Sequence, residues 1–359
     1  MCGGVLFVCS SYIDDSWDVI TENANGSYLD FSVNTNFLGL PKTVKDNFNA
    51  ITDVAGGYPD PKCKHLISCL SSKYNISSKC FLCGNGADDL LYRLIFATKP
   101  KRAVIVEPTF EEYERALELV NCEVFHYTLN EADNFTLDSG VLSVIQPDCD
   151  MLFICTPNNP TGQIVSTSLV EEILRCCVEN DVLLVVDECF MEFLPEWRAH
   201  SAKELAAGTK NLIVIDAFTK TYSLAGFRLG FCVSGNIDLL EKMYLCGQSF
   251  AVSIPAQFAG VCALMDHAYM KTTYQTLLLE KEWLLTELNR FPLKVYPSQG
   301  NFLLLKSDTE NILAKLLDKG IKVRDCSQFY GLSSEYFRIA IRKHSENKVL
   351  IEALTEIFL

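Results

Sequence analysis

One lysine closely follows an apolar run, at a point where its amine could act as a nucleophile. Lys220 comes soon after Leu212–Ile215, and Arg228 lies eight residues further on. At the end of a buried strand, a desolvated amine near another cation loses its proton readily and can condense with an aldehyde. The sequence therefore offers a nucleophilic lysine and a guanidinium that can hold an anion beside it. Taken alone, each could also be a solvated surface cation.

An acidic residue ends another apolar run. Asp187 directly follows Val182–Val186, and an ionised carboxylate in that place is costly unless a cation faces it. A protonated pyridine nitrogen is one such cation, and the ion pair would keep a pyridine ring an effective electron acceptor. A structural salt bridge or a helix cap is the alternative.

Two glycine-containing segments could bind oxygen atoms of a ligand. Gly84-Asn-Gly86-Ala-Asp88 lies between the apolar Cys80–Cys83 and a helical pattern, so free N–H groups at a helix start could bind a phosphate. Asn158-Asn-Pro-Thr-Gly162 supplies side-chain amides that could reach a phenolic oxygen. Either segment alone could simply be a turn.

Three of these groups, Asn158–Gly162, Asp187 and Lys220, stand at or just beyond the carboxyl ends of predicted strands. Short apolar runs alternate with longer amphipathic stretches, which is a βαβ pattern. The runs are apolar on consecutive residues, as strands covered on both faces need, so the sequence predicts an α/β fold with a mostly parallel sheet. Ligands bind at the carboxyl edge of such sheets. The predicted strands are Ala103–Val106, Met151–Cys155, Val182–Val186, Leu212–Ile215 and Gly230–Val233.

A second set of predicted strands indicates a smaller domain. A long amphipathic stretch from Pro255 to Arg290 leads to Phe302–Leu305, Ile321–Val323 and Phe337–Ile341. Because helical patterns separate these strands, we expect a large domain over residues 45–250 and a small α+β domain over residues 1–44 and 251–359.

The charge balance argues against several classes of partner. The chain of 359 residues has 31 Lys and Arg against 45 Asp and Glu, for a formal net charge of −14. This charge repels nucleic acids and anionic membranes, so we expect a small-molecule ligand held by a few local cations.

The 16 cysteines are scattered through apolar runs, and we expect free thiols in a reducing cytoplasm, with neither export nor a membrane anchor. Zinc at Cys63, Cys69, Cys80 and Cys83 is a weaker alternative to the expectation of no metal.

Taken together and in order, the motifs resemble the class I/II aminotransferase family of fold type I, whose cofactor is pyridoxal 5′-phosphate (PLP). The series is Gly84–Gly86, Pro108–Tyr113, Asn158–Gly162, Asp187–Phe190, and Thr219-Lys220 with Arg228. The resemblance implies that Lys220 binds the cofactor covalently and that Asp187 pairs with the pyridine nitrogen. It also implies cofactor contacts from Gly86, Ala87, Asp88, Phe110, Asn159, Thr219, Arg228 and, across a homodimer interface, Tyr58.

Within the family, the chain resembles the L-threonine-O-3-phosphate decarboxylases of cobalamin biosynthesis, which are carbon–carbon lyases. The matching segments are Leu29–Gly39, Tyr58–Asp60, Phe110–Leu117, Cys155–Gly162, Val323–Leu332 and Tyr336–Arg342, and Phe190 stands where many aminotransferases have tyrosine. The resemblance implies decarboxylation of O-phospho-L-threonine to (R)-1-aminopropan-2-yl phosphate, with substrate contacts from Asn34, Asn159, Arg324 and Arg338. An aminotransferase acting on histidinol phosphate or an aromatic amino acid, a serine-phosphate decarboxylase and a non-catalytic relative remain alternatives.

The reaction itself bears on where the arginines act. Cations that grip the carboxylate would stabilise a charge that disappears as CO₂ leaves, and so would oppose decarboxylation. We therefore expect Arg324 and Arg338 to clamp the substrate phosphate, with the carboxylate nearer Asn159. Two residues depart from the family pattern: Ala217 replaces a phosphate-binding serine, and Cys2 replaces the histidine of an N-terminal His-Gly-Gly.

Overall fold

The computed structural model describes residues 28–358 of the chain, and its largest element is a seven-stranded sheet. The strands are β1 (Leu29–Asp30), β2 (Phe81–Gly84), β3 (Arg102–Glu107), β4 (Glu123–Thr128), β5 (Met151–Cys155), β6 (Leu183–Asp187), β7 (Leu212–Ala217), β8 (Gly230–Val233), β9 (Lys294–Val295), β10 (Phe302–Lys306), β11 (Ile321–Lys322), β12 (Arg324–Asp325) and β13 (Tyr336–Ala340). The main sheet has the order β2-β8-β7-β6-β5-β3-β4. Strands β3 to β7 pair in parallel, and β8 is antiparallel to both of its neighbours. The predicted α/β class with a mostly parallel sheet is confirmed.

Successive residues of the central strands face opposite cores, which explains why their runs are apolar throughout. In β3, Val104 and Val106 pack in one hydrophobic core, whereas Ala103 and Ile105 pack in another. Strands buried on both faces leave no position for a polar side chain until the strand ends. The five predicted strands of this sheet agree with the observed bounds to within two residues.

Two strands of the main sheet were not predicted: β2, which overlaps the apolar segment Cys80–Cys83, and β4, which has no apolar run. Strand β4 lies at the edge, pairs only with β3, and alternates between exposed and half-buried residues. Its half-exposed positions tolerate charged and polar residues such as Glu123 and His126.

Helices connect the strands. They are α1 (Lys42–Asp46), α2 (Ala50–Val54), α3 (Lys64–Tyr74), α4 (Ala87–Thr98), α5 (Glu112–Glu118), α6 (Thr167–Glu179), α7 (Trp197–His200), α8 (Lys203–Gly208), α9 (Phe218–Thr221), α10 (Ile237–Leu245), α11 (Ile254–Met265), α12 (His267–Leu288), α13 (Ile312–Asp318) and α14 (His344–Phe358). The stretch predicted from Pro255 to Arg290 is thus two helices. They divide at Asp266, whose side chain accepts a hydrogen bond from the N–H of Tyr269 and caps α12.

A second sheet, in the order β12-β13-β10-β9, is antiparallel throughout. The strand predicted at Ile321–Val323 is confirmed as β11, which pairs in parallel with β1, whereas β12, just after it, was not predicted and joins the second sheet. The first of these pairings places residues 29–30 against the C-terminal part of the chain. The domain bounds at residues 45 and 250 stay a prediction.

The expectations for thiols, metal and membrane segments can be compared with the structure over the described residues. The cysteines from Cys63 to Cys326 are free thiols, as predicted. Between residues 28 and 358, the ligand atoms close enough to share a metal ion belong to Glu107, Glu114 and His126, so the cysteines considered for zinc form no such group. None of the described helices combines the length and apolar character needed to cross a membrane. The segment that includes Cys2 lies outside the described residues.

Candidate active site

A cavity of about 370 Å³ opens at the carboxyl ends of β5, β6 and β7. Its volume lies within the range of small-molecule sites. Phe110 and Phe190 provide apolar parts of its wall. The predicted site residues that line it are Asn34, Ala87, Asp88, Phe110, Asn159, Asp187, Thr219, Lys220, Arg228, Arg324 and Arg338. The fold therefore brings together nearly all the residues that the sequence motifs singled out.

Lys220 lies in the short helix α9, which directly follows β7. Its Nζ is 5.9 Å from the centroid of the Phe190 ring. Burial, together with the charges of Arg338 and Arg228, lowers the pKa of the amine to about 8. The backbone carbonyl of Lys220 accepts a hydrogen bond from the N–H of Asn36 at 2.9 Å, which ties this turn to the N-terminal segment. A usable fraction of the amine is uncharged near neutral pH, as a nucleophile requires.

The lowered pKa of Lys220 predicts a pH-dependent stability of the protein without bound ligand. The unfolded chain keeps the ordinary pKa of 10.5, so between about pH 8 and pH 10.5 the unfolded state binds more protons at this residue than the folded state does. The free energy of unfolding should therefore gain a contribution that rises with pH across this window, and Lys220→Met should lack it. Urea unfolding of both proteins at the two ends of the window measures the difference. Parallel pH dependences would contradict the prediction.

Asp187 is the last residue of β6 and is 9% exposed. Its Oδ2 accepts a hydrogen bond from the hydroxyl of Tyr113 at 2.6 Å, and its Oδ1 accepts one from the N–H of Cys189 at 2.9 Å. The salt bridges in the described part of the chain do not include Asp187, although others lie close by. Because a buried carboxylate without a cation is costly, this side of the cavity suits a cation that a ligand brings.

The start of helix α4 and Arg228 form a cradle for an anion. No side chain caps this helix, so its first N–H groups are free to bind a ligand. Gly86 has φ +91°, which other residues rarely adopt, and a Cβ there would lie 2.8 Å from Nη2 of Arg228, so the guanidinium would have to shift. The same Nη2 lies 3.1 Å from Oδ2 of Asp88. The carboxylate of Asp88 is thus occupied by Arg228, and its backbone N–H is the group that can contact an anion.

Asn159 reaches the cavity because Asn158 holds the turn beneath it. The Asn158 side chain donates hydrogen bonds to the carbonyl of Pro108 at 2.8 Å and to the hydroxyl of Thr161 at 2.9 Å. The side-chain oxygen of Asn159 accepts a hydrogen bond from Arg338. Its nitrogen is therefore the atom left to donate to a ligand.

Two arginines face each other on β12 and β13. Arg324 and Arg338 are directly opposite in the antiparallel register, an arrangement in which like charges repel. Burial and the charge of Arg324 lower the pKa of Arg338 to about 10, so it remains protonated at neutral pH. Arg338 also donates to the carbonyl of Ser32 at 2.7 Å, yet its Nε is buried without a partner, as is Nδ2 of Asn34. Unsatisfied donors beside paired positive charges fit a multiply charged anion.

An ionic cluster lies behind the cavity. Nζ of Lys203, a fully buried side chain, is 2.7 Å from Oε2 of Glu188 and 2.8 Å from Oδ2 of Asp216. Burial alone would lower the pKa of Lys203, but the charges of Asp216 and Glu188 outweigh it and raise the pKa above its usual value. Glu188 directly follows β6 and Asp216 lies in β7, so one lysine ties the ends of the two strands together.

Two predicted site residues do not line the cavity. Gly86 lies just behind it, against Arg228. Tyr58 is 85% exposed, and its ring centroid lies 4.8 Å from that of Phe250. The role of Tyr58 across a dimer interface stays a prediction.

Sequence reasoning missed three residues that organise the site. Tyr113 donates to Asp187, Asn36 holds the turn of Lys220, and Oε1 of Glu111 lies 3.5 Å from Nη2 of Arg324. Tyr113 and Asn36 belong to segments that the resemblance includes, but those segments do not tell which residue they contact. Glu111 follows Phe110 directly, and its contact joins residues far apart in sequence, so no local pattern indicates it.

The described residues fit PLP. The amine of Lys220 suits its aldehyde, the cradle of α4 and Arg228 suits its phosphate, and the buried Asp187 suits its protonated ring nitrogen. Gly86 belongs to this cradle, since a Cβ there would crowd the guanidinium of Arg228.

Comparisons with known proteins agree with this geometry. The sequence profile of the family "Aminotransferase class I and II" matches residues 27–354. Threonine-phosphate decarboxylase of Salmonella typhimurium is 35% identical over 334 residues, which cover 92% of this chain and 91% of that protein. Histidinol-phosphate aminotransferase of Methanosphaera stadtmanae is 28% identical over 343 residues, with 93% and 91% covered.

The fold also matches solved structures. The crystal structure of the histidinol-phosphate aminotransferase from Clostridium acetobutylicum superimposes with a TM-score of 0.85 at 26% identity, covering 92% of this chain and 98% of that one. The fold-type I architecture predicted from the motifs is thereby confirmed. Profile, relatives and fold together show that the chain belongs to the class I and II aminotransferase family of PLP-dependent enzymes.

Proposed function

We propose that the protein is a PLP-dependent decarboxylase that converts O-phospho-L-threonine to (R)-1-aminopropan-2-yl phosphate, as part of cobalamin biosynthesis in the cytoplasm. The observation that carries the proposal is the pair Arg324 and Arg338, placed opposite each other beside the unsatisfied donor of Asn34. Two charges and two free donors match a phosphate dianion better than a single carboxylate. The similarity to threonine-phosphate decarboxylase supports the same choice.

Different residues of the chain have different roles in the proposed reaction. When bound, PLP supplies an acceptor for the electron pair of the Cα–carboxylate bond as that bond breaks. Arg324 and Arg338 hold the phosphate of the substrate. This contact orients the substrate so that its carboxylate lies away from both arginines. The side-chain nitrogen of Asn159, whose oxygen accepts from Arg338, is left to donate a hydrogen bond to the carboxylate. CO₂ leaves, and a proton from Nζ of Lys220 takes its place on Cα.

The experiment that tests the proposal uses the PLP-loaded protein and O-phospho-L-threonine, with and without 2-oxoglutarate. We expect CO₂ and aminopropanol phosphate, measured by mass spectrometry, whether or not the oxo acid is present. Formation of glutamate without CO₂ would instead identify an aminotransferase, a function that the similarity to histidinol-phosphate aminotransferases favours. O-phospho-L-serine belongs in the same assay, because a pocket for one methyl group discriminates by only about 1–3 kcal/mol.

We also propose a homodimer in which Tyr58 contacts the site of the partner subunit. Tyr58 and Phe250 form an exposed aromatic pair, and Leu245 nearby in sequence is 73% exposed. Large exposed apolar side chains of this kind are typical of protein interfaces. Sedimentation equilibrium should give twice the mass of one chain, and a monomer would exclude the proposal.

Replacing Ala217 with serine should tighten PLP binding. Ala217 lines the cavity at the end of β7, where the family carries a hydroxyl that contacts the cofactor phosphate. One added hydrogen bond of about 0.5–1.5 kcal/mol corresponds to a Kd that is roughly 2- to 12-fold lower. Titration of the PLP-free protein with PLP, followed by absorbance, measures the change. Ala225→Ser, which adds a hydroxyl outside the cavity lining, is the control, and equal affinities of Ala217→Ser and the natural protein would contradict the expectation.

A further inference from the structure

The acidic residues around the cavity differ in what they pair with. Asp88 pairs with Arg228, and Asp187 accepts hydrogen bonds from Tyr113 and Cys189. The cavity-lining carboxylate that faces the opposed arginines is Glu111. Its Oε1 lies 3.5 Å from Nη2 of Arg324, a residue of β12 that is far from Glu111 in sequence.

The ion pair between Glu111 and Arg324 can separate readily. Both side chains are about 40% exposed, unlike those of the buried cluster around Lys203. Exposed ion pairs are weak because water competes for both partners. Arg338, in contrast, is buried and held by Asn159 and Ser32, so it does not need to move. Of the two arginines, Arg324 is therefore the one that exchanges partners.

We infer that Glu111 is a displaceable counter-ion for Arg324, which occupies this guanidinium until the phosphate of the substrate replaces it. The inference rests on the proposed assignment of Arg324 to the substrate phosphate. A dianion with three acceptor oxygens displaces a carboxylate from an exposed arginine, whereas the uncharged hydroxyl of an unphosphorylated substrate does not. Glu111 thereby favours phosphorylated substrates, and it competes again for Arg324 when the product leaves.

The test is isothermal titration of the PLP-loaded protein with inorganic phosphate. Glu111→Gln removes the competing charge and should lower the Kd for phosphate by roughly 2- to 5-fold, the range of an exposed ion pair. Glu118→Gln, at the other end of helix α5, removes the same charge from an exposed position and should leave the Kd unchanged. In an Arg324→Gln background the effect of Glu111→Gln should disappear, because the two side chains then no longer compete.

Three results would overturn the inference: equal or weaker phosphate binding by Glu111→Gln, an equal gain in Glu118→Gln, or the same gain with and without Arg324. Absorbance of bound PLP in each variant shows that the protein is folded and loaded. In turnover, Glu111→Gln should lower KM for O-phospho-L-threonine and strengthen inhibition by the product. The phosphate titration does not depend on turnover, so absence of CO₂ release would remove the proposed function while leaving the competition itself measured.

Discussion

Replacement of Lys220 with alanine is expected to lower the rate of CO₂ release from O-phospho-L-threonine by roughly 10²–10⁴-fold, the contribution of a positioned proton-transfer group. The same variant should lose the visible absorbance band of lysine-bound PLP, because no other lysine among residues 28–358 lines the cavity. The lowered pKa of Lys220 makes it both the nucleophile and a proton donor near neutral pH.

Lys281 provides a matched control for Lys220. Burial also lowers its pKa to about 8, and it donates to the carbonyl of Ser298, but it does not line the cavity. Lys281→Ala should therefore keep both the absorbance band and the activity. A Lys220→Ala protein that retains them would show that a lowered pKa and a place in the cavity are not enough to identify the reactive lysine.

Asp187→Asn should reduce kcat on the order of 10²–10³-fold, which is the usual cost of removing one preorganised electrostatic group. Asparagine has nearly the same shape, so it can still accept a hydrogen bond from the N–H of Cys189, but it carries no charge to keep a ring nitrogen protonated. Steady-state kinetics with O-phospho-L-threonine measure the loss, and KM should change much less than kcat.

Tyr113→Phe separates the charge of Asp187 from its position. This variant removes the hydroxyl that donates to Oδ2 at 2.6 Å and leaves the carboxylate in place. We expect a loss of roughly 10-fold, the lower end of the effect of one hydrogen bond to a charged group, because the N–H of Cys189 still orients the carboxylate. A loss as large as that of Asp187→Asn would mean that Asp187 acts mainly through its orientation.

The central part of the fold could be predicted because its physical requirement is visible in the sequence. Strands such as β5 need apolar residues at every position, since one side packs on each core. Strand β4 needs apolar residues at only about half of its positions, so its sequence shows no continuous apolar run. The short strands β11 and β12 are separated only by Val323 but join different sheets, and the sequence of so short a segment cannot show that division.

The site was predictable where one residue suffices to do chemistry, and not where two distant residues must meet. Lys220, Asp187 and Arg228 each follow or precede an apolar strand, so the motifs located them. The contact of Glu111 with Arg324 joins the start of helix α5 to the second sheet, and only the folded chain brings the two side chains to 3.5 Å. The opposition of Arg324 and Arg338 likewise depends on strand register, which sequence alone does not determine.

The ion pairs of Lys203 affect how the protein binds its cofactor. They bind together the ends of β6 and β7, which carry Asp187 and, four residues beyond Asp216, Lys220. These bonds are internal to the protein, so the entropy of ordering the two reactive groups is lost during folding and not when the cofactor arrives. Association of PLP with the empty protein should then follow a single second-order phase, without a slow rearrangement of the binding site.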